Sequence, residues 1–437
     1  MEWWVILPLI FSALIILMIS GVPVAFCFMA INIVCVYLFW GGQAGLWQLV
    51  ISMYSGIGHF SLVTLLLFLL MGEVMLQSKL GFDVIEVIDM WLGRLPGRLG
   101  LVAIASGTLL ASLTGASMAT IALMGSALTP EMERRGYKKA MSLGPILGSS
   151  GLAKMIPPSG IAVVLAVLAN LSVAQMLIAI IVPGLIMALF YAIYTVVRCW
   201  LQPSIAPSYP LTPIPLSRKL FLAAKYILPL GLVIFLVTGV ILLGIATPTE
   251  AGATGALGSI VLAACHGRLS WEMLKKSFIR TLEVSVMVLM IIAGSKAFSQ
   301  ILAFSGATRG LISLAVDFAL PPVAIIIAMM VFALLLGCFM EVISVLMISV
   351  PIYVPIITAL GYDPLWFGVV LLLNAEMGPT TPPFGLSMFV MKGVAPPDTT
   401  MGDIYKAGIP YLGCDATVLA LMIAFPIIPL WLPGLMS

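Results

Sequence analysis

Charged residues are scarce in this chain of 437 residues. Asp, Glu, Lys and Arg make up only 8% of it, whereas a typical soluble domain contains about 25%. The net charge is only +3, and no basic tail or aromatic-and-basic stripe is present, so nothing indicates a nucleic-acid partner. With 62% hydrophobic residues, the composition instead indicates an integral membrane protein that crosses the bilayer many times.

Residues for metal, redox or hydrolytic chemistry are also few. The only histidines are His59 and His266, and the six cysteines form no CxxC pair, so we expect neither a zinc site nor disulfides. The motifs HExxH, GxSxG and GxxxxGK[ST] are absent. These absences weigh against the alternative of an intramembrane enzyme and against an ATP-driven pump. We therefore expect a protein that is not an enzyme.

Apolar runs of about 20 residues predict about ten transmembrane helices. The predicted crossings are 4–20, 22–40, 60–77, 140–171, 175–197, 226–245, 251–265, 284–303, 366–394 and 410–433. Two further runs, about 99–128 and about 322–359, contain small or polar residues at their centres and are predicted to be re-entrant hairpins. The proline-rich stretch 201–225 is expected to be a cytoplasmic linker, and the amphipathic stretch 266–280 to lie along the inner surface.

Two Pro-Pro pairs interrupt apolar runs that would otherwise be continuous helices. The sequences are Met-Ile-Pro-Pro-Ser-Gly at 155–160 and Thr-Thr-Pro-Pro-Phe-Gly at 380–385. Proline has no N–H and clashes with the preceding turn, so each helix must break. Free backbone groups inside a bilayer are tolerated only where protein or a polar cavity surrounds them. Matched broken helices therefore indicate the binding site of a secondary transporter, about 140–171 in one half and about 366–394 in the other.

The two halves resemble each other at a constant offset of 225 residues. The coincident positions are Pro23 with Pro248, Gly81 with Gly306, Leu95-Pro96 with Leu320-Pro321, Pro130 with Pro355, Gly136-Tyr137 with Gly361-Tyr362, Pro157-Pro158 with Pro382-Pro383, and Gly160 with Gly385. We infer two structural repeats, 1–200 and 226–437. The turn at 131–139 carries four basic residues and its twin at 356–363 carries none. By the positive-inside rule the first turn lies in the cytoplasm and the second outside, so the repeats are predicted to be inverted.

Several short motifs resemble the large membrane subunit (DctM type) of tripartite ATP-independent periplasmic (TRAP) transporters. They are Gly-Val-Pro-Val-Ala-Phe at 21–26, Gly-Ala-Ser-Met-Ala-Thr at 115–120, Pro-Glu-Met and Arg-Gly-Tyr within 130–137, Ile-Pro-Pro-Ser at 156–159, Thr-Pro-Thr-Glu-Ala at 247–251, Asp-Pro and Phe-Gly within 363–368, and Thr-Pro-Pro-Phe-Gly at 381–385. The resemblance covers essentially the whole chain in one order.

This resemblance implies an elevator-type transporter with a scaffold domain and a mobile transport domain in the bacterial inner membrane. It implies Na⁺-driven uptake of a carboxylate-bearing solute. A periplasmic binding protein would deliver the solute, and a small four-helix membrane subunit (DctQ type), expected as a separate polypeptide, would pair with this one. A stand-alone carboxylate carrier of similar two-hairpin fold, driven by Na⁺ or H⁺, remains the alternative.

The resemblance also implies candidate Na⁺ ligands at the hairpin tips and helix breaks. In the second half they are Gly337, Gly378, Thr381 and Phe384. The offset carries these to Ser112, Ala153, Ile156 and Ser159, and the family pattern adds Thr114, Ser117 and Pro157. The sequence departs from the common pattern at Lys154, whose ammonium group either repels Na⁺ or binds an anionic solute. The remaining solute-binding candidates are Ser159, Glu341 and Glu376. The two glutamates are included because ionisable residues inside a membrane are costly and usually functional.

Overall fold

The structure of the protein is a computed structural model that describes residues 3–39, 42–93, 95–207, 214–317 and 321–436. Within these ranges the chain is helical apart from turns and short loops. Helices suit this composition because they satisfy every backbone hydrogen bond internally where water is absent. The predicted all-α polytopic membrane fold is confirmed.

The first half contributes the helices α1 (Trp3–Ile19), α2 (Val24–Phe39), α3 (Gln43–Ile57), α4 (Leu62–Gln77), α5 (Leu80–Trp91), α6 (Arg98–Thr114), α7 (Ser117–Arg134), α8 (Lys139–Met155), α9 (Gly160–Leu168), α10 (Val173–Ala179) and α11 (Ile181–Leu201). The second half contributes α12 (Leu216–Leu242), α13 (Pro248–Cys265), α14 (Trp271–Phe304), α15 (Ala307–Asp317), α16 (Pro322–Gly337), α17 (Val342–Ala359), α18 (Pro364–Met377), α19 (Leu386–Val394), α20 (Met401–Ala424) and α21 (Ile427–Leu430). By length and hydropathy, five described segments could each cross a membrane, or seven if the bent pairs α3–α4 and α8–α9 each count as one. The figure of about ten crossings stays a prediction.

The helices of the two halves follow one order at the offset of 225. Ser117 and Arg134 bound α7, and the positions 225 residues later, Val342 and Ala359, bound α17. The turns that follow are also alike. Gly136 and Gly361 both have a φ of +79°, a left-handed conformation that glycine adopts without steric cost. The repeated Gly-Tyr dipeptide therefore ends the second helix of each hairpin.

The predicted hairpins correspond to α6 with α7 and to α16 with α17. The helices of each pair pack against each other, and only residues 115–116 and 338–341 separate them. Each hairpin also packs on the first limb of the broken helix in its own half, α6 on α8 and α16 on α18. Both hairpin tips are thereby brought to the helix breaks.

The prediction of a separate surface helix at 266–280 is wrong. Residues 271–304 form one helix, α14, whose 34 residues span about 51 Å against a hydrocarbon core of roughly 30 Å. In the first half the same positions form α3 and α4, which are bent by 54°. Ser270 caps α14, and no proline interrupts the helix after that point, so the amphipathic stretch continues directly into the apolar one.

The linker is shorter than predicted. α11 continues to Leu201, a 3-10 turn follows at Pro203–Ile205, and α12 begins at Leu216; positions 208–213 of the predicted linker lie outside the described residues. The Ile205 carbonyl accepts a hydrogen bond from the Lys138 amide at 2.9 Å, so the linker is attached to the turn before α8.

The helices form two packing groups. The first packing group contains α1–α4 and α12–α14, and the second packing group contains α6–α11 and α16–α20. The twin helices α5 and α15 contact both groups. Direct contact between the groups runs mainly through α4 against α6 and α9, and through α14 against α17.

The inverted orientation is open to a direct test with twin cysteines. Arg134 and Ala359 are exposed and lie 225 residues apart at the ends of α7 and α17. In a background lacking the native cysteines, a membrane-impermeant maleimide applied to intact spheroplasts should label Ala359→Cys and not Arg134→Cys. After permeabilisation both should react, which controls for accessibility. Equal labelling before permeabilisation would contradict the inverted arrangement.

Candidate functional site

A cavity of about 560 Å³ lies between the two packing groups. The first packing group contributes the start of α2 and apolar faces of α4 and α14. The second contributes both hairpin tips, at 114–118 and 341–344, and residues of both broken helices. A volume of this size is typical of a small-molecule site. The elements predicted from the sequence therefore meet at one place.

The second break is an open segment between α18 and α19. α18 ends at Met377, a 3-10 turn covers Gly378–Thr380, and regular helix resumes at Leu386. The hydroxyls of Thr380 and Thr381 both donate to the Met377 carbonyl, at 2.9 and 2.7 Å. Each hydroxyl oxygen still has lone pairs available. The break thus offers carbonyl and hydroxyl oxygens, the ligands that a hard cation such as Na⁺ prefers.

The tip of the second hairpin touches this break through two glycines. A Cβ atom added to Gly378 would lie 2.6 Å from Gly337 Cα and 2.8 Å from its carbonyl oxygen. A Cβ on Gly337 would lie 2.9 Å from Gly378 Cα. The two backbones approach this closely because neither residue has a side chain. The rings of Phe339 and Phe384 also contact each other, with centroids 5.2 Å apart and an interplanar angle of 35°.

The first break has the same plan with different side chains. α8 ends at Met155 and α9 begins at Gly160, and the Pro157–Pro158 bond is cis, as is Pro382–Pro383. Ser159 caps α9 by accepting a hydrogen bond from the Ala162 amide at 3.3 Å. The structure therefore places the Ser159 hydroxyl at the helix end and not in the cavity wall.

The first hairpin tip presents hydroxyl groups that already have partners. The Ser112 hydroxyl donates to the Leu109 carbonyl at 2.8 Å, within its own helix. The hydroxyls of Thr114 and Thr120 lie 3.1 Å apart. Of the predicted first-half ligands, Thr114 and Ser117 line the cavity, whereas Ser112, Ala153, Ile156 and Pro157 do not.

The charged groups form one cluster. Lys154 Nζ, at the end of α8, donates to Glu376 Oε2 in a buried ion pair; the two residues are 6% and 3% exposed. Ser117 Oγ donates to Glu376 Oε1 at 3.0 Å. Glu341, immediately before α17, is half-buried and lines the same cavity as Lys154. In their charged forms the three groups carry a net charge of −1.

This cluster breaks the symmetry of the repeats. At the offset of 225, Lys154 corresponds to Pro379, Glu376 to Gly151 and Glu341 to Ala116. Gly151 lies against the Glu376 side chain, since a Cβ there would be 3.5 Å from Glu376 Cγ. The repeat alone therefore gives no indication that Lys154 and Glu376 meet.

Two serines in the cavity wall were missed by sequence reasoning. Ser344 lies in the first turn of α17 and Ser387 in the first turn of α19. Ser387 is 1% exposed, and its hydroxyl has no hydrogen-bond partner among the residues that the structure describes. The available signal was its position just after the Pro-Pro break, where the twin residue Ala162 is apolar.

Within the described ranges, no group of three or more His, Cys, Asp or Glu is arranged to hold a metal ion. A Na⁺ site here would consist of backbone and hydroxyl oxygens, as the second break provides.

Several relatives and solved structures with similar sequence or fold are transport proteins. The chain is 30% identical over 390 residues to the C4-dicarboxylate TRAP transporter large permease protein DctM of Pseudomonas aeruginosa, covering 89% of each chain. It is 28% identical over 425 residues to the ectoine TRAP transporter large permease protein TeaC of Halomonas elongata, covering 96% of this chain and 97% of that one. The fold resembles that of the Alcanivorax borkumensis YdaH transporter, with a TM-score of 0.66 at 14% identity over 89% of each chain.

The family described as "Tripartite ATP-independent periplasmic transporter, DctM component" matches residues 11–428, nearly the whole chain. The resemblance inferred from the motifs is thereby confirmed, and the protein is a multi-pass membrane transporter component and not an enzyme. The chain belongs to the DctM component family of the tripartite ATP-independent periplasmic transporters.

Proposed function

We propose that this chain is the large subunit of a TRAP transporter in the bacterial inner membrane that couples Na⁺ entry to uptake of a small carboxylate-bearing solute. A periplasmic binding protein delivers the solute, and a small four-helix membrane subunit completes the complex. The observation that carries the proposal is the cavity in which both hairpin tips and both broken helices converge on Lys154. Its ammonium group provides the positive charge that a carboxylate requires.

Electrostatics supports coupling to a cation. In their charged forms Lys154, Glu376 and Glu341 carry a net charge of −1, and a solute carboxylate would bring the total to −2. Unbalanced charge is expensive at low dielectric, so the solute is expected to enter together with a cation. Bound Na⁺ supplies the compensating positive charge, while Gly337, Gly378 and Thr381 are the residues proposed to hold it.

The two packing groups support an elevator movement. The cavity lies at their boundary, with the charged cluster entirely on the second packing group and the opposing wall on α2, α4 and α14. Movement of the second packing group past the first would carry the cavity across the membrane. The helices α5 and α15, which contact both groups, would accommodate this movement.

The proposed function is tested by reconstitution into liposomes. Radiolabelled solute should accumulate only when this chain, the small subunit and the loaded binding protein are all present and an inward Na⁺ gradient is applied. Replacing Na⁺ by choline should abolish accumulation. Robust Na⁺- or H⁺-dependent uptake by this chain alone would instead indicate a stand-alone carrier.

Thr381→Val is expected to raise the Na⁺ concentration for half-maximal uptake. The substitution keeps the β-branched shape but removes one oxygen from a multi-oxygen site, a loss of about 1–2 kcal/mol or roughly 5- to 30-fold in affinity. Thr380→Val is the matched control, since that hydroxyl donates to the same Met377 carbonyl. Ile156→Val should leave Na⁺ dependence unchanged. If Thr381→Val has normal Na⁺ dependence, only its carbonyl remains as a ligand.

A further inference from the structure

From the chemistry of the cavity wall we infer that the solute is a monocarboxylate with an otherwise apolar body, and that Ser387 hydrogen-bonds one of its oxygens. This inference rests on the proposed uptake of a carboxylate and specifies which carboxylates fit. Three features of the wall carry it: a single cation, an unpartnered buried hydroxyl on Ser387, and a predominantly apolar remainder.

The single cation limits the number of carboxylates. Among the described residues that line the cavity, Lys154 is the only basic side chain and Glu341 the only acidic one. An ammonium group has three N–H donors, and one of those on Lys154 is directed to Glu376. The remaining donors suffice for one solute carboxylate. A second carboxylate would have no basic partner and would experience repulsion from Glu341.

The hydroxyl of Ser387 is a buried polar group without a partner. Ser387 lies in the cavity wall, and no atom of the described residues accepts a hydrogen bond from its hydroxyl. Buried polar groups are nearly always hydrogen-bonded, so an unpartnered one at a binding site indicates where a ligand atom is placed. The hydroxyls of Thr114 and Ser117, by contrast, already have partners.

The rest of the wall selects for an apolar body. Phe68 and Leu69 of α4, Ile161 and Val164 of α9, and Val288 and Ile291 of α14 face the cavity. A polyhydroxylated acid would lose its hydrogen bonds to water there and regain few. A branched aliphatic or aromatic body would instead bury apolar surface against these side chains.

The proposed class, monocarboxylates with an apolar body, is tested by measuring solute binding to this 437-residue chain in lipid nanodiscs at saturating Na⁺. The probes are 4-methylpentanoate, its uncharged amide and succinate, each titrated by calorimetry. We expect 4-methylpentanoate to bind at least about tenfold more tightly than either of the other two, because only it satisfies both Lys154 and the apolar wall.

Variants at Ser387 and at the Lys154–Glu376 pair test the two proposed contacts, and Ser106→Ala is the control. Ser387→Ala should weaken binding of 4-methylpentanoate by about 3- to 10-fold. Ser106→Ala makes the same change at another buried, unpartnered hydroxyl outside the cavity and should have no effect. Lys154→Gln combined with Glu376→Gln removes the cation without leaving a lone buried charge, and should abolish the preference for 4-methylpentanoate over its amide.

The outcomes separate this inference from the proposed function. Tighter binding of succinate, or equal loss in Ser387→Ala and Ser106→Ala, would overturn the solute class or the Ser387 contact while leaving Na⁺-coupled carboxylate uptake intact. Absence of binding by every carboxylate, together with absence of Na⁺-dependent uptake by the complete transporter, would overturn both.

Discussion

Glu376→Gln is expected to lower the free energy of unfolding by about 3–5 kcal/mol, because it leaves the Lys154 ammonium buried without its carboxylate. Glu376 accepts hydrogen bonds from both Lys154 and Ser117, so the neutral amide also disturbs a second contact. Denaturant titration in detergent micelles, followed by tryptophan fluorescence, measures the change. Lys154→Gln should be similarly destabilising, since it leaves the opposite charge unpaired.

The double variant Lys154→Gln/Glu376→Gln is the decisive control. Removing both charges avoids the unpaired buried ion, so the double variant should be clearly more stable than either single one. Lys139→Gln makes the same substitution in the more exposed ion pair with Asp398 and should be far less destabilising, because water screens that pair. If the double variant is as unstable as the sum of the singles, the two side chains do not interact as a pair.

Gly378→Ala is expected to reduce Na⁺-dependent uptake by about 10- to 100-fold. The added methyl group would lie 2.6 Å from Gly337 Cα, so the hairpin tip must move away from the break that it contacts. Forced separation of well-packed backbones costs about 1–3 kcal/mol, and here the displaced atoms are the proposed Na⁺ ligands. Uptake in proteoliposomes at several Na⁺ concentrations measures the effect, which should include a higher half-saturating concentration.

Gly393→Ala is the matched control on the neighbouring half-helix α19. A Cβ there meets no atom within 4 Å, so the substitution should leave uptake unchanged. Gly337→Ala should reproduce the defect of Gly378→Ala, because its Cβ would lie 2.9 Å from Gly378 Cα. Normal Na⁺ dependence in both Gly378→Ala and Gly337→Ala would exclude this contact from the ion site.

Local chemistry explains what the sequence determined by itself. The Pro-Pro pairs predicted both helix breaks, because proline cannot continue a helix wherever the chain places it. The small or polar residues within 114–117 and 337–341 predicted both hairpin tips, and the turns predicted within 131–139 and 356–363 follow α7 and α17. Apolar composition also predicted the membrane fold, and the resemblance of several short motifs indicated the family.

Only the tertiary structure decided which side chains meet in the cavity. Lys154 and Glu376 are 222 residues apart, and neither has a charged twin, so periodicity and repeat symmetry carried no information about their pairing. Ser387 could likewise be recognised only in the structure, because its hydroxyl is unpartnered among the described residues and no sequence pattern shows this. The sequence divided 266–280 from 284–303, and only the structure showed that one helix, α14, runs through 271–304 and packs against α2, α3 and α4. Contacts between distant segments arise from how the helices pack, and no local sequence pattern determines that arrangement.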